Sequence, residues 1–376
     1  MTTSGAELYI GLMSGTSLDG VDAVLVRAEA NGRVHTLAHD YQPFGPELRA
    51  ELLALNSPGD NELQRAALAG NAMARAYAQA CQSLLMSQRL APQEVRAIGA
   101  HGQTVRHRPG EFDGTGFTIQ LLNAALLAEL TGIAVVHDLR SRDLAVGGQG
   151  APLVPAFHRA VLGQDGTDVV VLNVGGISNV SLLWADGRSG GFDCGPGNCL
   201  MDGWIHRHQG AEYDASGQWA AQGQVHAGLL DALLAEPYFR QAPPRSTGRD
   251  LFHLGWLDAR IAAHAPRVSA VDVQATLLEL SALCVLDSLV AFAPGAWREL
   301  LVCGGGAFND TLLKRLQVLL PTVAVSTTAT KGLPPMQVEG AAFAWLAMRH
   351  VRGLPGNLPA ATGASGPRVL GSYTPA

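Results

Sequence analysis

The chain is poor in lysine. Of its 26 lysines and arginines only Lys314 and Lys331 are lysine, so any mechanism that sets a lysine on a phosphate must use one of these two. No GxxxxGK followed by Ser or Thr occurs, which excludes a P-loop, and the absence of GxGxxG argues against a Rossmann dinucleotide site. Cysteine is sparse: Cys81, Cys194, Cys199, Cys284 and Cys303 are scattered, with no CxxC pair, so neither a structural zinc site nor a disulfide framework is favoured. Charged residues make up only 15% and the net charge is −6, which leaves no electrostatic footprint for nucleic acid or anionic lipid. No run of about 18 apolar residues is apparent, because stretches such as VVVLNVGG break on Asn and Gly. The start, MTTSGAELYIGLMSG, lacks the basic head and apolar stretch of a signal peptide. These absences lead to the expectation of a soluble, cytoplasmic protein with neither membrane nor nucleic acid as partner.

What is present suits a sizeable core. Apolar residues are 47% of 376, and at roughly 100–200 residues per domain the length implies two domains. Residues 8–13 form a short apolar run, followed by the turn SGTSLDG, a second run at 21–26 and a third at 33–41. The same device returns at 168–174, with the turn GGISN, then 180–184 and 190–193. Strand, glycine turn, strand, strand is the reading for both, so two similar α/β halves are expected. Helical spacing predicts helices over 61–86, 121–130, 274–292, 311–319 and 338–351. Buried strands are predicted at 95–100, 134–137 and 299–303, and an irregular tail over 353–376. The Gly-rich segment DLRSRDLAVGGQGAP is the expected hinge, dividing a domain of residues 1–138, completed by 352–376, from one of residues 139–351.

Several turns carry residue types that suit phosphate chemistry. Gly15, Thr16, Ser17, Leu18, Asp19, Gly20, Val21 and Asp22 form a polar turn between apolar strands, where backbone N–H groups and hydroxyls can cradle phosphate oxygens. Asp19 and Asp22 offer the hard oxygen ligands that Mg²⁺ prefers. Asn173 to Asn179 (NVGGISN) is the matching turn of the second half, and Cys303 to Asn309 (CGGGAFN) follows a strand and precedes a helix, where glycines admit close backbone approach and a helix start favours anions. Asp193, in GFDCGPGN, ends a strand on a Gly- and Pro-rich turn and is a candidate general base. An ordinary turn explains each of these segments equally well when taken singly. His101 and Gln103 (GAHGQT), Arg140 (HDLR) and Gln149 are polar groups placed to contact a substrate.

Taken together, MSGTSLDGVD, AHGQT, GGQGAPLVP, NVGGISN, GFDCGPGN, PPRSTGRDLF, CGGGAFN and VEGAAFAWLA follow one another along nearly the whole chain. In this the sequence closely resembles the anhydro-N-acetylmuramic acid kinases, members of the acetate and sugar kinase, Hsp70 and actin superfamily. The resemblance implies two actin-like (ribonuclease H-like) α/β domains with an interdomain ATP/sugar cleft. It implies a kinase of peptidoglycan recycling that takes 1,6-anhydro-N-acetylmuramic acid, ATP and water to N-acetylmuramic acid 6-phosphate and ADP, with Mg²⁺, as a cytoplasmic homodimer. Asp193 is then the base that activates water. Gly15 to Asp22 form the first phosphate loop, with Asp19 and Asp22 towards the metal; Gly175, Gly176 and Asn179 form the second. Gly304, Gly305, Gly306 and Asn309 line the adenosine side, and His101, Gln103, Arg140 and Glu339 contact sugar or water, with Arg140 on the lactyl carboxylate. Two positions depart from the family pattern: Cys194 stands where threonine is usual, and Arg245 where lysine is usual.

Two other readings are weighed against this one. A kinase of the same superfamily acting on a simple sugar would use its base on a hydroxyl rather than on water. An ATP-driven binding protein, like the chaperone or filament members, would need a peptide-binding extension that does not follow the second half.

Overall fold

The computed structural model describes residues 7–15, 18–243, 245–248 and 251–376, so Thr16 and Ser17 of the expected phosphate loop lie outside the described residues. The strands are β1 Glu7–Met13, β2 Gly20–Ala28, β3 Val34–Pro43, β4 Val95–Ala100, β5 Gln103–Pro109, β6 Gly116–Leu121, β7 Val135–His137, β8 Val169–Val174, β9 Ile177–Leu183, β10 Ser189–Pro196, β11 Glu299–Cys303, β12 Ala324–Thr327 and β13 Ser372–Thr374. They fall into two compact units, Met1–Val161 with Gln337–Ala376, and Leu162–Met336.

The first unit holds a sheet in the order β13-β7-β4-β1-β2-β3, the second one in the order β10-β9-β8-β11-β12. In each, three consecutive strands pair antiparallel and the first of them also pairs parallel with a later strand: β1 with β4, β8 with β11. This is the doubled α/β architecture expected from the two glycine-turn segments. β1, β4, β8 and β11 lie inside their sheets, and their near-continuous apolar runs match strands covered on both faces. The helix Glu62–Gln88 buries Met73, Ala74, Tyr77 and Cys81 against the first sheet, as its 3.6-residue spacing predicts.

Three expectations are corrected. The chain passes from one unit to the other at Val161/Leu162, not at 138/139, and the helix Val338–Val351 belongs to the first unit. It lies across β1, β2 and β4, and glycine on both sides makes that approach possible: a Cβ on Gly11 would come within 1.8 Å of the Gly340 carbonyl oxygen, and one on Gly99 within 2.0 Å of that of Phe343. The Gly-rich segment read as a hinge is tied down inside the first unit by Asp143. This fully buried carboxylate accepts from the Gly150 amide at 2.8 Å, the Asn357 side chain at 2.7 Å and the Thr362 hydroxyl at 2.9 Å. The tail is not irregular throughout: Pro359–Thr362 is helical, and β13 closes the first sheet by pairing antiparallel with β7.

Among the described residues one helix, Ala270–Phe292, is long and apolar enough to cross a membrane, its apolar stretch interrupted by Asp272, Glu279 and Asp287. Two-thirds of its most apolar stretch (67%) is buried, and Val273, Leu277, Leu280 and Val285 sit in the core of the second unit.

The glycine contact gives a direct expectation. Gly11→Ala forces a methyl into backbone of the helix Val338–Val351, and overpacking of this kind costs roughly 1–3 kcal/mol. Denaturant unfolding of the variant should show that loss; unchanged stability would mean that helix and sheet are not in backbone contact.

Candidate functional site

In the second unit three of the glycine segments converge at the C-terminal ends of β8 and β11, where open α/β sheets place ligands. The Gly197 amide donates to the Gly176 carbonyl at 2.9 Å and the Asn198 amide to that of Gly175 at 2.8 Å, so GPGN lies on the GGIS turn. CGGGAFN closes on the same strand end: Gly304 has φ +74°, and a Cβ on Gly306 would stand 2.3 Å from Val174 Cγ1. Asn309, expected on the adenosine side, caps the helix Asp310–Leu319, its Oδ1 accepting from the Leu312 amide at 3.0 Å. Asn173, Asn179 and Asp193 pair at one level across β8, β9 and β10, a polar row that the separate motifs did not reveal.

Asp193 is held from several directions. The β9–β10 register breaks between Asp193 and Gly195, and Gly195 takes φ +155° where a Cβ would press on the Phe239 ring at 2.7 Å. One carboxylate oxygen, Oδ2, accepts from the Thr247 amide at 3.0 Å. The Asp193 carbonyl accepts from the Tyr238 hydroxyl at 2.8 Å and from Arg245 Nε at 2.9 Å, while its amide donates to the Arg245 carbonyl at 3.3 Å. Burial pushes the carboxyl up to about 6, against the opposing pull of the Thr247 amide and the Arg245 charge. A carboxylate with that value is ionised at neutral pH and still basic enough to accept a proton. Tyr238 and Thr247 were not singled out in the sequence, and Arg245 only as a departure from pattern; no local signal links residues 238–247 to residue 193.

In the first unit Ser14 and Gly15 meet the HGQT segment. Gln103 Nε2 donates to the Gly15 carbonyl at 3.1 Å, and the Ser14 hydroxyl to that of Gly102 at 3.0 Å. Leu18, buried, sits at φ +56°, and the Asp19 carbonyl accepts from the Phe44 amide at 2.9 Å. Asp19 itself is exposed, whereas Asp22 at the start of β2 bonds His39 Nε2 through Oδ1 at 2.8 Å. Arg140 directs Nε and Nη2 at His101 Nε2 (3.1 and 2.8 Å) and Nη1 at the Gly150 carbonyl (2.7 Å). Two donors on one ring nitrogen make Nε2 the acceptor, so His101 is neutral with its proton on Nδ1. Burial, then the Arg140 charge, hold its pKa down to about 3. Glu339 shares this neighbourhood; burial and next Asp22 raise its pKa while Arg140 lowers it. Among the described residues His101 Nδ1 and Gln103 Oε1 are buried without a hydrogen-bond partner, a donor and an acceptor that a polar ligand would satisfy. His101 also lines a cavity of about 190 Å³ with Gln120, His137, Asp138 and Ser141.

The structure therefore gathers His101, Gln103, Arg140, Glu339, Gly15 and Asp22 in the first unit, and Asp193, Gly175, Gly176, Asn179 and Gly304 to Gly306 in the second. Two shallow cavities of about 390 Å³ lie elsewhere in the second unit; neither touches Asp193, and the fixed carboxylate is the better guide to chemistry. No group of three or more His, Cys, Asp or Glu side chains forms a metal cage among the described residues.

Comparison with known proteins agrees with the motif order. The family described as Anhydro-N-acetylmuramic acid kinase matches residues 7–376. A protein of that name from Variovorax paradoxus (strain S110) is 57% identical over 377 aligned residues, covering 98% of this chain and 99% of its own. Those from Thiobacillus denitrificans, 54% identical over 374 residues (100% and 99% covered), and Pseudomonas paraeruginosa, 53% over 368 (98% and 99%), are similar along their whole length.

The neutral state of His101 is measurable. With a folded pKa of about 3 against 6.5 for the free side chain, the unfolded chain takes up the proton first as pH falls. The stability tied to this group is complete above about pH 6.5 and erodes below it. Nitrogen-15 NMR of the imidazole should show a protonated Nδ1, a bare Nε2 and no titration between pH 8 and 5; a midpoint near 6.5 would refute the assignment.

Proposed function

The chain belongs to the anhydro-N-acetylmuramic acid kinase family, and on that premise we propose that it uses ATP and water to convert 1,6-anhydro-N-acetylmuramic acid to N-acetylmuramic acid 6-phosphate and ADP. The observation that carries this reading is Asp193, a half-buried carboxylate with a pKa near 6, held by the Thr247 amide at a strand end dense in glycine. Asp193 takes a proton from water as the water oxygen attacks C1 of the sugar from the face opposite the anhydro bridge. The C1–O6 bond breaks with its electron pair going to O6. O6 attacks the γ-phosphorus, and the bond to the β–γ bridging oxygen breaks, leaving ADP. O6 carries no proton in the anhydro sugar, so ring opening itself activates the nucleophile and one carboxylate serves both bond changes. Phosphoryl transfer then needs positioning and charge neutralisation above all.

In the same reading Gly15 to Asp22 and Gly175, Gly176 and Asn179 hold the phosphates through backbone amides and side-chain polar groups, and Gly304 to Gly306 with Asn309 border the adenosine. Bound Mg²⁺ would offset phosphate charge, and such an ion is usually held by one or two carboxylates together with waters and phosphate oxygens. Asp22, close enough to Glu339 to raise its pKa, fits that limited role, with Asp19 as the second expected ligand. His101 Nδ1–H and Gln103 Oε1 are assigned to the sugar. The Arg140 fork, expected on the lactyl carboxylate, is directed at His101 and Gly150, and its role here is to fix the His101 tautomer. The expected cytoplasmic homodimer belongs to this reading too, and sedimentation of the purified chain tests its stoichiometry.

Turnover in H₂¹⁸O decides the chemistry. Label at C1 of a 6-phosphorylated product is expected, with an acid limb in kcat near pH 6 as Asp193 protonates. Asp193→Asn should lower kcat by about 10²–10⁴-fold. Phosphorylation without label at C1 would mean an ordinary hydroxyl kinase.

A further inference from the structure

Arg245 is a buried cation that the reaction as written does not use. It is 7% exposed, and among the described residues no ion pair includes it. Its donors go instead to neutral oxygens: Nε to the Asp193 carbonyl at 2.9 Å, Nη1 to the carbonyls of Phe239 and Gln241 at 3.1 and 3.0 Å, and Nη2 to the Ser288 hydroxyl at 2.7 Å. The guanidinium also packs on three aromatic rings, Phe292 at 4.8 Å, Tyr238 at 5.1 Å and Phe192 at 5.3 Å. Taking a cation out of water costs several kcal/mol even with a counter-charge nearby, and well-packed apolar residues often do better at such positions. Stability alone is therefore a poor reason for an arginine here.

We propose that Arg245 is the positioning residue of Asp193: it clamps the peptide that carries the carboxylate and supplies the positive charge that faces it. The proposal rests on the reading of Asp193 as the base. Both backbone polar groups of Asp193 are tied to residue 245, the carbonyl through the guanidinium and the amide through the Arg245 carbonyl, and Tyr238 adds a second donor to the carbonyl. Two residues on, the Thr247 amide holds the carboxylate itself. Placing the guanidinium thus also places Thr247.

Of the surrounding charges, Arg245 is the one that acts on Asp193. Cys194, beside Asp193 on β10, has its thiol pushed up to about 12 by burial. Cys284 on the helix Ala270–Phe292 and Tyr238 are likewise raised by burial, so all three are neutral. Asp287 on the same helix acts on Cys284. Burial alone would leave Asp193 protonated over more of the neutral range, and the Arg245 charge opposes that.

The test compares Arg245→Gln with Arg245→Lys in the full-length enzyme, reading kcat and KM against pH. Losing a nearby opposite charge raises a carboxyl pKa, so Arg245→Gln should move the acid limb of kcat to higher pH, with KM for both substrates little changed. Arg245→Lys keeps the charge and should return the limb to its wild-type position. A folded Arg245→Gln enzyme with an unmoved limb would overturn the proposal, as would a folded Arg245→Lys enzyme that is inactive or has a shifted limb. If Arg245→Gln does not fold, Arg245→Lys decides alone by the same criterion. Asp193→Asn is run beside them: an acid limb that survives in it refutes the base assignment itself, whatever the Arg245 variants do.

Discussion

A carboxylate is a useful base near neutral pH only when it is taken far enough from water to be basic, yet not so far that it stays protonated. Asp193 lies between those limits. Its pKa rises from 3.8 to about 6, a penalty on the ionised form of roughly 3 kcal/mol. Because the folded value lies above the unfolded one, the group favours folding most below about pH 4, and that contribution is lost as pH rises through 6. At working pH the fold therefore carries a destabilised anion, and the structure around residue 193 resists its collapse into a neutral, misdirected state. The bulge at Gly195, the Thr247 amide and the Tyr238–Arg245 clamp on the peptide all bear on this one group.

The glycines follow from a related demand. In the proposed reading, backbone approaches backbone where strands end so that amides, with only two lysines in the chain, help to meet a polyphosphate. GPGN lies on the GGIS turn and GGGAFN on Val174 because a side chain at Gly197, Gly304 or Gly306 would collide with its neighbours. In the first unit the same closeness serves packing: Gly11, Gly99 and Gly340 let a helix sit directly on three strands. Glycine is thus used for two purposes, and only the sites at strand ends are candidates for ligand contact.

Much of this could be read from the chain before any coordinates. The two glycine-turn segments gave the doubled sheets because apolar runs broken by polar turns are local patterns, and β4, β11 and the helix Val338–Val351 fell at the expected residues. The unit boundary was misplaced because glycine-rich segments are read as loose, whereas the loop after Arg140 is fixed by Asp143 from within and by Asn357 and Thr362 from the far end of the sequence. The tail strand was missed because three residues with no periodicity gain their pairing only from β7. Asp193 could be picked out by its setting between glycines, but the groups that tune it could not: Tyr238, Arg245 and Thr247 meet residue 193 from 45 to 54 positions away.

The two units can also be compared strand by strand. In the second unit one level of β8, β9 and β10 carries Asn173, Asn179 and Asp193. Near the same level in the first unit β1, β2 and β3 carry Met13, Asp22 and Tyr41. Tyr41 is well exposed at 43%, and Asp22 is paired with His39, so the third-strand position that corresponds to Asp193 carries no carboxylate. The polar work of that unit falls instead to His101 and Arg140, which lie just beyond β4 and β7, and to Glu339 at the start of a helix. Two halves with one topology can diverge almost completely in sequence because the pattern that folds them is apolar alternation and glycine at turns, which many sequences satisfy. The residues read as carrying chemistry sit at strand ends, outside the apolar alternation that folds the two sheets.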